Sequence, residues 1–251
     1  FTGLNVFRAK MIDKYKLPEF EFSQNYNFFY DQLEKANLFL QGVIDTRQKP
    51  MSDQMVEWLF KNPLSDGGQF TGISDIIGKY GVVPKEVMNE TFASNNTSQM
   101  AYLLKLKLRE YGLQLRELPV QTDMEDIKRI KTEMLGTVYR MLVLNLGEPP
   151  LEFTWTRRDI NGKPVETKQY TPKSFYNEYI GKDLTNGYVM LMNDPTREYY
   201  KLYEIDYDRH MYDGYNWRYV NLPVEDIKKM AIASIKDSTA MYFSCDVTKF
   251  L

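Results

Sequence analysis

The chain has 251 residues, 32 basic and 34 acidic, for a formal net charge of −2. That length suits one large domain or two smaller ones, and balanced charge with no Lys/Arg run argues against nucleic acid as a partner. One cysteine and one histidine exclude an internal disulfide framework and a zinc site built from Cys and His, and they fit a reducing, cytoplasmic compartment. No apolar run is long enough to span a bilayer, the first residues lack a signal-peptide pattern, and no metal or cofactor is expected.

Residues 1–15 predict a helix, with Phe1, Leu4, Phe7, Met11 and Ile12 on one apolar stripe. No capping residue stands ahead of Phe1, so the pattern implies that residues precede it. Over residues 20–41, Ser23 is the expected N-cap, and Tyr26, Phe29, Leu33, Ala36 and Leu40 continue one face. A loop carrying Pro50 leads to a short helix over residues 53–61. Residues 64–84, LSDGGQFTGISDIIGKYGVVP, are the least generic stretch. Asp66 precedes Gly67 and Gly68, and an amphipathic helix follows that ends at Lys79-Tyr80-Gly81. Adjacent glycines permit unusual dihedrals and let a ligand or another chain segment approach the peptide groups closely. A plain glycine-rich connection fits the same pattern.

Two longer helices over residues 97–118 and 123–146 form an expected antiparallel hairpin, inserted into or appended to something else. Gly147 and Pro149-Pro150 stop the second. Residues 152–158 and 164–170 flank Asp159-Ile160-Asn161-Gly162, where Asn-Gly predicts a hairpin turn. The Asp-x-Asn-Gly spelling lacks the remaining ligands of a calcium loop. A helix from Thr171-Pro172 to Tyr179 follows, then strands over 188–192, 201–207 and 216–221, a helix over 224–236 and a strand over 240–248. In that last strand Met241, Phe243, Cys245 and Val247 share one face, opposite Tyr242, Ser244, Asp246 and Thr248. Cys245 is therefore expected to be a structural, apolar-packed thiol with a raised pKa. His210, in the polar segment 207–215, is expected to be an exposed loop residue and not a base. No complete catalytic set is expected within the chain.

Taken in order, FTGLNVFRAKMI, FEFSQNYNFFYDQLEK, NPLSDGGQF with IIGKYGVVPK, LGEPPLEFTW, TPKSFYNEY, NDP, and KKMAIASIKD followed by FSCDV resemble the bleomycin hydrolase/aminopeptidase C family of papain-like cysteine peptidases. The resemblance implies an α+β, papain-like cysteine proteinase fold, partial here, with a large mainly helical insertion. By that likeness residues 1–96 are the helical half with the Gly-Gly segment, 97–222 the family-specific insertion, and 223–251 the start of the β-rich half. It implies a thiol aminopeptidase whose nucleophilic cysteine lies just before Phe1 and whose histidine and asparagine lie after Leu251. The 251 residues alone would then be inactive. It assigns Gly67, Gly68 and Gln69, with Phe70 close by, to the path of a peptide substrate, and places Ser244 and Asp246 at the cleft floor. It also implies a homohexamer around an interior chamber. Phe70 departs from the tryptophan the family carries after Gly-Gly-Gln, which keeps the aromatic wall and loses the indole N–H. A different class fits the same residues: a non-catalytic scaffold that keeps the architecture after losing its nucleophile.

Overall fold

The computed structural model describes residues 2–65, 67–181, 184 and 187–244. Its central element is α2 (Gln24–Asp45), capped by Ser23 as the sequence predicts. The Ser23 hydroxyl accepts from the Tyr26 N–H at 3.1 Å and donates to the Met88 carbonyl at 2.5 Å. One side chain thus satisfies an orphan helix donor and ties the helix start to a distant loop.

Around α2 lie α3 (Gln54–Lys61), α4 (Phe70–Tyr80), α6 (Ser98–Glu117) and α7 (Met124–Leu146), while α1 (Thr2–Tyr15) adds Leu4, Phe7 and Met11 to the same apolar cluster. Asp53 caps α3 through the N–H groups of Met55 and Val56. Because α2 is buried on several sides, its polar residues need internal partners. The Asn25 amide donates to Leu146 O at 2.7 Å and Asn89 O at 2.9 Å, which joins α2 to the end of α7. Glu34 receives Lys79 at 2.7 Å and the Tyr80 hydroxyl, which joins α2 to α4. Tyr30 and Tyr80 stack with ring centroids 3.8 Å apart.

The α6–α7 hairpin forms as the sequence predicts, but it does not stand apart. Leu104, Leu108 and Leu115 of α6 and Ile127, Met134, Val138 and Leu142 of α7 share one apolar cluster with Phe29, Phe39 and Leu40 of α2. That core is continuous across positions 96 and 97. The short α5 (Phe92–Asn95) begins at a capping box made by Thr91 and Ser94.

Strands β1 (Phe153–Arg158) and β2 (Pro164–Tyr170) form the Asn-Gly hairpin, with a bulge at Arg157/Arg158. The Asp159 carboxylate accepts from the N–H groups of Asn161 and Lys163, which is the work of a turn residue and not of a calcium ligand. Helix α8 (Pro172–Tyr179) brings Phe175 and Tyr179 against Trp155 and Tyr170. At its start Gly81 turns the chain at φ +81°, where a Cβ would come 2.3 Å from the Pro172 carbonyl oxygen, so only glycine fits.

A second sheet has the order β3-β5-β4, from β3 (Leu191–Met192), β5 (Trp217–Asn221) and β4 (Lys201–Ile205). β3 runs parallel and β4 antiparallel to β5. The strand expected over 188–192 is thus trimmed to the two residues that β5 can pair. Helix α9 (Val224–Lys236) has no buried side chain, and Met230, Ile232 and Ile235 are exposed. Residues 240–244 are not a strand: alternation alone supplies no hydrogen bonds, and no described strand pairs with them. Met241 and Phe243 are exposed, whereas Cys245, Asp246, Val247 and Thr248 lie outside the described residues. Among the described residues no helix is long and apolar enough to cross a membrane.

Candidate functional site

Three pieces of chain far apart in sequence meet at Gly67 and Gly68. The first is the middle of α2, where helical spacing puts Asp31 and Lys35 one turn apart on one face. The second is the stretch 67–69 that feeds α4, together with Ser65. The third is the connection between β4 and β5, residues 206–216. Two backbone bonds hold that connection down. The Tyr215 N–H donates to the Asp75 carboxylate at 2.8 Å, and the Trp217 N–H donates to Asp208 O at 2.7 Å. Burial pushes the Asp75 carboxyl above its usual range, only partly opposed by the Tyr215 N–H and by His210.

This connection delivers His210 into the interior, which overturns the expectation of an exposed loop residue. His210 is 8% exposed, and its Nδ1 lies 2.5 Å from the Asp31 carboxylate. Asp31 also pairs with the Lys35 ammonium at 2.8 Å and accepts from Gln32 at 3.1 Å. Burial alone would raise the Asp31 pKa. The His210 hydrogen bond and the Lys35 charge outweigh it, so the carboxyl is held below the usual carboxylate range. Burial also raises the Asp208 carboxyl, against the nearby charge of His210 and Lys35.

The imidazole explains two glycines. A Cβ on Gly68 would fall 1.7 Å from His210 Nε2, and one on Gly72 would fall 2.3 Å from two ring carbons. Gly68 does not have a left-handed φ. Gly68 is therefore required by close approach, and what approaches it is the protein's own histidine. A Cβ on Gly67 would meet nothing within 4 Å. Nε2 of His210 is buried without a hydrogen-bond partner and sits against Gly68, so there is no room beside it for a nucleophile. The Asp31–His210 pair is thus two thirds of a triad by composition and not a catalytic base by geometry. Among the described residues no cluster of His, Cys, Asp and Glu could hold a metal.

Lys35, also buried, donates to Ser65 O at 3.0 Å and Gly67 O at 2.8 Å. The segment so held divides two cavities. One of about 580 Å³ lies toward α3, between Met55, Trp58, Leu64, Tyr207 and Asp208. The other, of about 240 Å³, lies toward the start of α1, between Gly3, Asn27, Gln69, Phe70, Ile73 and Tyr242. Gly67, Gly68, Lys35 and His210 line both.

Of the residues singled out from sequence, Gly67, Gly68, Gln69 and Phe70 therefore come together on one wall. Phe70 is half-buried, against Gly3 and with its ring centroid 5.4 Å from that of Tyr188. Ser244 is exposed and does not line either cavity; Tyr242 lines the smaller one instead. Asp246 lies outside the described residues. Asp31, Lys35 and His210 had no signal in the sequence beyond charged residues at helical spacing and a lone histidine.

The family model described as Peptidase C1-like family matches residues 1–251. Aminopeptidase C of Listeria monocytogenes is 39% identical over 249 residues, which is 98% of this chain and 56% of that protein. Bleomycin hydrolase of Homo sapiens is 38% identical over 256 residues, covering 99% of this chain and 56% of that protein. The crystal structure of PepW from Lactobacillus rhamnosis superposes with a TM-score of 0.89 at 35% identity, over 94% of this chain and 53% of that chain. The chain spans about half the length of the curated relatives it matches.

Proposed function

The chain belongs to the Peptidase C1-like family, with its α+β, papain-like fold, and we propose that it forms part of a thiol aminopeptidase that removes N-terminal residues from peptides. The observation that carries this reading is the match along essentially the whole chain to relatives named aminopeptidase C and bleomycin hydrolase. In this reading the nucleophilic cysteine, the histidine and the asparagine belong to parts of the polypeptide outside these 251 residues, as the family resemblance implies. The smaller cavity supports the reading, because it joins the first turn of α1 to the Gly67–Gly68 wall.

In this mechanism the positive end of α1 favours a thiolate at its start. The thiolate attacks the scissile carbonyl carbon, and a neighbouring imidazolium gives its proton to the leaving amine as the C–N bond breaks. Water, deprotonated by the same imidazole, then releases the acyl group and regenerates the thiolate. Gly67, Gly68 and Gln69 lie along the extended substrate and pair with its backbone as a short added strand. A homohexamer belongs to the same proposal.

The test is hydrolysis of aminoacyl fluorogenic amides by the complete polypeptide, with and without a thiol alkylator. Turnover abolished by alkylation supports the reading. A well-folded polypeptide with no alkylator-sensitive turnover sinks it and leaves the non-catalytic scaffold.

A further inference from the structure

The Lys35 ammonium spends its donors inward, on Ser65 O, Gly67 O and the Asp31 carboxylate. Gln32 adds a second donor to Ser65 O at 3.3 Å. In a trans peptide the N–H points opposite to the C=O. The bond that draws the Gly67 carbonyl toward α2 therefore turns the Gly68 N–H away from Lys35. On the other side, His210 fills the space that side chains at 68 and 72 would take, and Asp31 holds both His210 and Lys35.

We propose that Lys35 is a positioning residue that sets the Gly67–Gly68 peptide so that its N–H meets a carbonyl of an extended peptide substrate, with Asp31 and His210 as its supports. This rests on the peptidase reading, which supplies the peptide. Nothing in the network touches the reacting bond. Its effect is to keep a flexible diglycine in one orientation before the substrate arrives, which removes an ordering cost from binding.

The inference is tested in the complete polypeptide with three variants: Lys35→Met, Asp31→Asn/Lys35→Met and Lys35→Arg. The double variant removes both charges, so neither is left buried and unpaired if the single variant fails to fold. KM and kcat are measured on peptide substrates, and amide hydrogen exchange is followed over residues 62–70. The expected result is a KM raised about fivefold, the loss of roughly one hydrogen bond, with kcat nearly unchanged and faster exchange over 67–70. Lys35→Arg should recover most of the KM. Folded Met variants with wild-type KM and wild-type exchange would overturn the proposal, as would a fall in kcat alone. Loss of turnover in the wild type itself would count against the peptidase reading, and the exchange measurement would still decide whether Lys35 orders the segment.

Discussion

Gly68→Ala isolates the packing of His210. The backbone at Gly68 is not left-handed, so alanine carries no conformational penalty there, and the whole effect comes from the ring it meets. At 1.7 Å from Nε2 and 2.0 Å from Cε1, a methyl group cannot coexist with the imidazole where it stands. Gly68 is fixed by Lys35 through its neighbour, so His210 is the partner that must move. Displacing it breaks its hydrogen bond to the Asp31 carboxylate, worth about 1.5–3 kcal/mol for a charged partner. Overpacking adds about 1–3 kcal/mol. The sum is roughly 2.5–6 kcal/mol, or roughly 5–24 °C in Tm at about 2–4 °C per kcal/mol. Gly67→Ala is the control, because nothing lies within 4 Å of its Cβ. It should be neutral or stabilising by up to about 1 kcal/mol, through a less flexible unfolded chain. Thermal unfolding followed by circular dichroism reads both. In a His210→Ala background the added cost of Gly68→Ala should nearly vanish, since the clashing ring is gone. Equal melting temperatures for the two alanine variants, or full additivity with His210→Ala, would refute the reasoning.

Two further outcomes follow from the same contacts. Asp31 has a lowered pKa in the folded state, so the stability it supplies is present above its unfolded value near 4 and is lost as pH falls through the folded value. Asp31→Asn should cost about 3–5 kcal/mol at pH 7 by leaving Lys35 buried and unpaired, and the gap in Tm from wild type should close below about pH 4. A gap that widens on acidification would contradict this. Asn25→Ala should cost about 2–3 kcal/mol in a urea titration, because the buried Leu146 O and the part-buried Asn89 O lose their donor. The exposed Asn96→Ala, whose amide only reaches back to Phe92 O, should stay within about 0.5 kcal/mol in the same urea titration.

Much of the helical architecture was legible from residues alone, since helix signals are local. Ser23 caps α2, a short helix forms at residues 54–61, Gly147 ends α7, and Asn161-Gly162 turns the hairpin. These are bonds among neighbours in sequence, so the pattern carries its own partners. The ordered blocks also led to the family, because they span the chain. Strands were less secure. Residues 240–244 alternate in hydropathy as a strand would, yet a strand exists only through hydrogen bonds to another segment, and local alternation does not name one.

The diglycine shows the division most clearly. Adjacent glycines ahead of a helical pattern mark Gly67 and Gly68 as a place of close approach, and the family resemblance assigns them to a peptide path. The folded chain makes the two glycines differ: Gly67 is open, while Gly68 is filled by a histidine that pairs with a carboxylate 179 positions away in sequence. A lone histidine in a polar stretch reads as solvated because nothing nearby offers it a partner. Its partner, Asp31, sits on a helix whose own pattern points only to Lys35. Burial and ion pairing are properties of where chain segments meet, so no local signal could have joined them.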